Sequence, residues 1–291
     1  VSAFVVGADG TLGRILVARL GARGLSVRCP NASDESTIAE LAGARVVVNA
    51  GGPRVRPELG WGDYFREHVG VTAKIVRSMA RGAHLVHVSS TAVYGARGTK
   101  LGPSTVEAPT LFPSAAYACA KLAAETTARA LGAERGVLVS VVRPSMVYGP
   151  GIDSALETLR KLARRGVALA LRPSAVRQHL VHVDLLCAMI GALLRGPVGE
   201  RVLLAADPFV LTNADLAVGA RVTVPVSVAS AASIHGALAP LGVAPSALEA
   251  LAVLGLDNEF DSAPALAALG IDPASHARAA FDAYWRATEA A

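Results

Sequence analysis

Short apolar runs of strand length alternate with stretches of helical period through the first two thirds of the chain. The runs fall at 3–7, 25–29, 45–50, 84–88, 138–143 and 178–183. Helical periodicity covers 14–24, 62–81, 114 to about 135, 154–165 and 184–195, with a shorter piece at 36–41. This alternation predicts an α/β fold, a parallel sheet doubly wound by helices. A stretch rich in Gly, Pro, Ser and Thr at 95–113 reads as a long loop, and loops of that length are usually functional. Beyond 196 the elements become short and alanine-rich, with Pro and Gly breaks, as expected of a smaller α/β lobe. The reading therefore assigns 1–145 and 177–197 to a nucleotide-binding domain. It assigns 146–176 and 198–291 to a substrate lobe.

Composition narrows the class. Hydrophobic residues make up 52% of the 291 positions and charged ones 18%, which suits a globular core and not a disordered chain. No apolar run reaches the length of a membrane span. The first residues run straight into a glycine turn without a basic, apolar leader, so a cytoplasmic location is expected. The three cysteines, Cys29, Cys119 and Cys187, are scattered and suggest neither a disulfide framework nor a zinc site, so no metal is expected. The net charge of +5 rests on dispersed arginines, and no clustered basic element points to nucleic acid.

The first candidate chemistry is the turn Gly7-Ala8-Asp9-Gly10-Thr11-Leu12-Gly13, between the first strand and the first helix. Gly7 permits the tight turn, Gly10 lets the backbone approach a pyrophosphate, and Gly13 allows close helix–strand packing. The helix N-terminus then offers free N–H groups to the phosphates. With both flanking elements in place, the turn predicts dinucleotide binding on a Rossmann-type sheet. After the second strand come Arg28, Asn31 and Asp34. No acid directly follows that strand to claim the adenosine ribose, so NADP(H) is slightly favoured over NAD(H), with Asp34 keeping NAD(H) open. Small residues Ala50, Gly51 and Gly52 leave room at the end of the third strand. The fourth strand delivers the hydroxyls of Ser89, Ser90 and Thr91 to its carboxyl end.

The second is Tyr117-Ala118-Cys119-Ala120-Lys121. Positions four apart share a helix face, which sets a phenol beside an ammonium. A nearby positive charge lowers a phenol's pKa, as suits a group that exchanges a proton with a carbonyl oxygen.

Taken in order, these segments resemble the extended short-chain dehydrogenases/reductases, the NAD-dependent epimerase/dehydratase family. The likeness includes Arg143-Pro144-Ser145-Met146-Val147-Tyr148-Gly149-Pro150-Gly151, Arg177-Gln178-His179-Leu180-Val181-His182-Val183-Asp184 and the closing stretch from Asp261 to Pro273. It implies that Tyr117 is the acid/base and that Lys121 tunes it and binds the nicotinamide ribose. Ser90, four residues before Tyr94, would hold the substrate oxygen. Ser89, Pro144 and Met146 join the cofactor side. Thr91, Met146 and Arg177 join Ser90 on the substrate side, Arg177 as the grip for a substrate diphosphate. Where sugar 4,6-dehydratases carry an Asp-Glu pair, this chain has Thr91 and Ala92, so elimination of water is not expected. Met146 stands where many members have a substrate-contacting Asn. His68 takes the place of the usual Asn of the long helix and reads as a core or capping histidine.

The resemblance thus implies an NAD(P)H-dependent ketoreductase, closest in pattern to the deoxysugar 4-ketoreductases, acting on a nucleotide-activated sugar or a related secondary metabolite. It also implies a homodimer. A nucleotide-sugar epimerase and a non-catalytic NAD(P)-binding sensor are the alternatives.

Overall fold

The computed structural model describes residues 3–25, 39–56, 58–95, 115–172, 175–199, 201–218, 221–227 and 258–286. Its first half alternates strand and helix: β1 (Ala3–Val6), α1 (Thr11–Leu20), β2 (Arg23–Leu25), β3 (Val46–Asn49), α2 (Trp61–Phe65), α3 (Val71–Ser78), β4 (His84–Val88), α4 (Ala116–Arg135) and β5 (Leu138–Pro144). Then follow β6 (Met146–Tyr148), α5 (Ala155–Arg164), β7 (Val167–Arg172), β8 (Arg177–Gln178), β9 (Leu180–His182), α6 (Val183–Arg195), β10 (Val202–Ala205), β11 (Leu211–Thr212), β12 (Val222–Ser227), α7 (Ala263–Leu269) and α8 (Arg278–Arg286).

Six strands form one parallel sheet in the order β10-β5-β4-β3-β1-β2. Apart from the exposed edge strand β2, both faces are buried, so these strands carry apolar residues on each side. Val5, Val48, Val86 and Val142 face a cluster that includes Leu16, Leu186 and Ile190. Phe4, Val47, Leu85 and Val141 face another that includes Ile75, Val76 and Ala128. The strand order reverses about β1, leaving a crevice at the carboxyl ends of β1 and β3. A further core, with Tyr148, Leu156, Phe281 and Trp285, belongs to the lobe.

The lobe boundary differs from the sequence reading. Val202–Ala205, inside the 198–291 stretch assigned to the lobe, is the sixth strand of the main sheet. Ala265 and Leu266 of α7 also pack into the sheet's core. By contrast β9, in the expected strand 178–183, pairs with β6 in a separate parallel ribbon. The run Val202-Leu203-Leu204-Ala205 is apolar throughout and suits a central parallel strand, but it lies among alanine-rich segments of similar composition.

Local chemistry explains the other shifts. Gly21, at φ 60°, caps α1 three residues before the expected helix end at Gly24 and lets β2 begin at Arg23. Most of the expected second strand, with Arg28, Asn31 and Asp34, lies outside the described residues, as does most of the 95–113 loop. The long helix expected at 62–81 is split by a π-turn over Arg66–Gly70. Such turns widen a helix by one residue and are frequent at functional sites.

Candidate active site

The glycine turn follows β1 into the crevice. A Cβ on Gly13 would lie 2.0 Å from the Gly7 carbonyl oxygen, so only glycine lets α1 pack this close to the turn. Gly10 is the N-cap of α1, with no side-chain cap and no acid in the first turn. The first N–H groups of α1, from Thr11 to Gly13, are therefore left for an anion, and the helix dipole favours one. Leu12 packs against the core, and the Asp9 carbonyl accepts from Arg14 Nη1 at 3.0 Å. This uncapped cradle, with glycine at each close approach, fits the pyrophosphate of a dinucleotide.

Across the crevice, Ala50, Gly51 and Gly52 follow β3. Buried Asn49 accepts from the Gly51 N–H at 3.1 Å and donates to Thr72 Oγ1 at 3.0 Å, which fixes the strand end to α3. Gly52 has φ 103°, and a Cβ there would lie 2.3 Å from the His68 ring. That glycine opens the space into which the π-turn delivers His68. The ring is buried, with Nε2 3.2 Å from the Pro53 carbonyl oxygen. Burial and the Lys121 charge hold its pKa down at about 2, so it is neutral, as a core histidine.

Tyr117 and Lys121 sit in the first turns of α4. The Tyr117 ring meets the edges of two rings stacked on each other, Tyr64 with centroids 5.9 Å away and His68 at 5.5 Å. Its phenol faces the Ser90 hydroxyl, which favours the phenolate. The same Ser90 oxygen accepts from the Ala92 N–H at 3.1 Å, capping the 3-10 turn Thr91–Tyr94. One hydroxyl thus both caps its turn and faces the phenol. Lys121 Nζ donates to the Val88 carbonyl at 3.0 Å and lies 6.0 Å from the Tyr117 ring centroid.

The expected lowering of the tyrosine pKa is not found. Burial pushes the phenol up to about 12; the Ser90 hydroxyl opposes this and Tyr64 adds to it. Desolvation outweighs any charge effect here. Lys121 is itself brought down to about 8 by burial, with Glu125 resisting.

Ser90, Tyr117 and Lys121 therefore come together beside the crevice. Ser89 does not face it: its hydroxyl donates into the core, to Glu125. Thr91 opens the 3-10 turn, while Pro144 and Met146 lie at the adjoining ends of β5 and β6. Arg177 lies on β8 and meets Glu259 fork to fork, at 2.8 and 3.2 Å, so the anion facing it is a side chain of its own chain. Sequence reasoning missed Glu125 and Tyr64. Glu125 repeats the four-residue spacing of Tyr117 and Lys121 once more, a signal that was present; Tyr64 reaches Tyr117 only through the fold.

Comparisons with known proteins show the family and the fold. The profile of the NAD dependent epimerase/dehydratase family matches residues 3–205. No curated protein matches the chain significantly in sequence. Among solved structures, MoeE5 in complex with UDP-glucose and NAD superposes with a TM-score of 0.73 at 21% identity, covering 98% of this chain and 97% of that one. UDP-glucuronic acid 4-epimerase from Bacillus cereus, in complex with UDP-glucuronic acid and NAD, gives 0.69 at 15% identity, covering 98% and 99%. RMD from Pseudomonas aeruginosa, complexed with NADPH, gives 0.67 at 18% identity, covering 99% and 100%. At these identities the structural likeness speaks for the fold, while the matched profile covers well over half of the chain. The protein belongs to the NAD-dependent epimerase/dehydratase family and is an NAD(P)-dependent enzyme of the extended short-chain dehydrogenase/reductase type.

Proposed function

We propose that this enzyme is an NAD(P)H-dependent ketoreductase in which Tyr117 protonates the carbonyl oxygen. The observation that carries the reading is the convergence of Ser90, Tyr117 and Lys121 at the crevice, with the Lys121 ammonium 6.0 Å from the ring centroid of a phenol that burial holds in its protonated form. A protonated phenol is the form a reduction needs, because the oxygen gains a proton as it becomes an alcohol. When bound, the nicotinamide supplies the hydride. Ser90 holds the substrate oxygen as charge develops there. Lys121, cationic below about pH 8, offsets the charge left on the phenol after donation. Gly7, Gly10 and the first turn of α1 hold the pyrophosphate. NADP(H) is slightly preferred, on the strength of Arg28, Asn31 and the lack of an acid directly after the second strand.

The substrate class we propose is a nucleotide-activated 4-keto-6-deoxy sugar or a related ketone. Thr91 and Ala92, where elimination would need acids, support reduction over dehydration. A cytoplasmic homodimer completes the reading. Epimerisation of a nucleotide sugar is the second reading, supported by the likeness to the 4-epimerase from Bacillus cereus. The two part on cofactor turnover. A reductase consumes added NADPH in step with a dTDP-4-keto-6-deoxyhexose; an epimerase purifies with NAD already bound and consumes none.

A further inference from the structure

Beneath the catalytic groups lies a buried charged network that the mechanism above leaves unused. Glu125 is 2% exposed and sits one turn beyond Lys121 and two beyond Tyr117 on the same face of α4. Its carboxylate accepts from the Ser89 hydroxyl, from Arg143 Nε at 3.0 Å and from Arg143 Nη2 at 2.6 Å. Arg143, on β5, also donates through Nη1 to the Tyr94 hydroxyl at 2.8 Å, with its guanidinium 5.0 Å over the Tyr94 ring. Ser89 and Tyr94 bracket the turn that Ser90 caps. Glu125 therefore reaches one end of that turn directly and the other through Arg143.

The charges around Lys121 give this network a second role. Lys121 is faced by Tyr117 and Glu125 from its own helix, by His87 from β4 and by His68 from the π-turn. Both histidines are neutral at working pH, held at about 2 and about 3 by burial and by the Lys121 charge. Arg143 and Tyr94 face Glu125 from the other side. Among the described residues, Glu125 is the one carboxylate that acts on the Lys121 ammonium.

We propose that Glu125 is a positioning residue of this site: it fastens the turn carrying Ser90 to the helix carrying Tyr117, and it is the counter-charge that keeps Lys121 an ammonium. The inference rests on the reading of Lys121 as the site's cation, and its test needs no substrate. The chain has four lysines, Lys74, Lys100, Lys121 and Lys161, so lysine labelled at Cε with carbon-13 gives few NMR resonances, and Lys121→Arg assigns the one of interest. In the wild type the Lys121 resonance should titrate at about 8. In Glu125→Gln the midpoint falls by about one pH unit or more, the size of effect an opposite charge at close range exerts. An unchanged midpoint overturns the proposal. A merely structural Glu125 would lower the melting temperature and leave that midpoint in place. Should the single variant fail to fold because Arg143 is left buried and unpaired, Glu125→Gln/Arg143→Met removes both charges of the pair. A fall in the same direction is expected there, smaller because the Arg143 cation leaves with the carboxylate, and an unchanged midpoint again overturns the proposal. Failure of the ketoreductase reading would be seen separately, as absent NAD(P)H turnover in the wild type.

Discussion

A phenol packed against Tyr64 and His68 and facing Ser90 keeps its proton at neutral pH, the state the proposed reduction needs. Removing the hydroxyl while keeping the ring tests the role. Tyr117→Phe should lower kcat for ketone reduction about 10²–10⁴-fold, the range of general acid catalysis, with NADPH affinity little changed. Lys121 makes a second prediction through its stability linkage. Its folded pKa, about 8, lies below the unfolded value near 10.5. Between those values the unfolded chain holds the proton and the folded one does not, so stability from this group rises with pH across that window. Urea unfolding between about pH 8 and 10 should show the wild type gaining on the order of 2 kcal/mol relative to Lys121→Met. At this scale the sequence was legible where spacing on one helix sufficed, as for Tyr117 and Lys121. The sign of the tyrosine shift was not, because desolvation depends on Tyr64 and His68, which arrive from another helix.

Among the elements, α1 depends on its close approach to the glycine turn. Gly13→Ala places a methyl 2.0 Å from the Gly7 carbonyl, and the backbone must move to admit it. We expect a loss of about 1–3 kcal/mol in stability, seen as a lower melting temperature, together with weaker NADPH binding in a fluorescence titration. The lobe depends on α8. Phe281 is fully buried, its ring 5.6 Å from both Tyr148 and Trp285. Phe281→Ala should cost about 3–5 kcal/mol by denaturant unfolding. Strands such as His84–Val88 were legible because a short apolar run between polar stretches has few other uses. The π-turn at Arg66–Gly70 was not, since it depends on a ring fitting over Gly52 and not on periodicity. Val202–Ala205 was misplaced for a different reason: apolar character alone does not say which sheet a strand joins.

For the molecule as a whole, one sheet buried on both faces brings the glycine turn after β1, the small residues after β3 and the hydroxyls after β4 to a common edge. The helix carrying Tyr117 and Lys121 packs on one face of the sheet with its first turns at that edge, where on the proposed reading a dinucleotide would meet its proton donor. No helix among the described residues is long and apolar enough to cross a membrane. The most direct test is to follow NADPH absorbance with a dTDP-4-keto-6-deoxyhexose and count the alcohol formed. The account predicts one NADPH oxidised per alcohol, and a loss of at least about a hundredfold in kcat for Tyr117→Phe. Conversion of a nucleotide sugar with no net NADPH consumption, or a Tyr117→Phe enzyme within a few-fold of wild type, would contradict it.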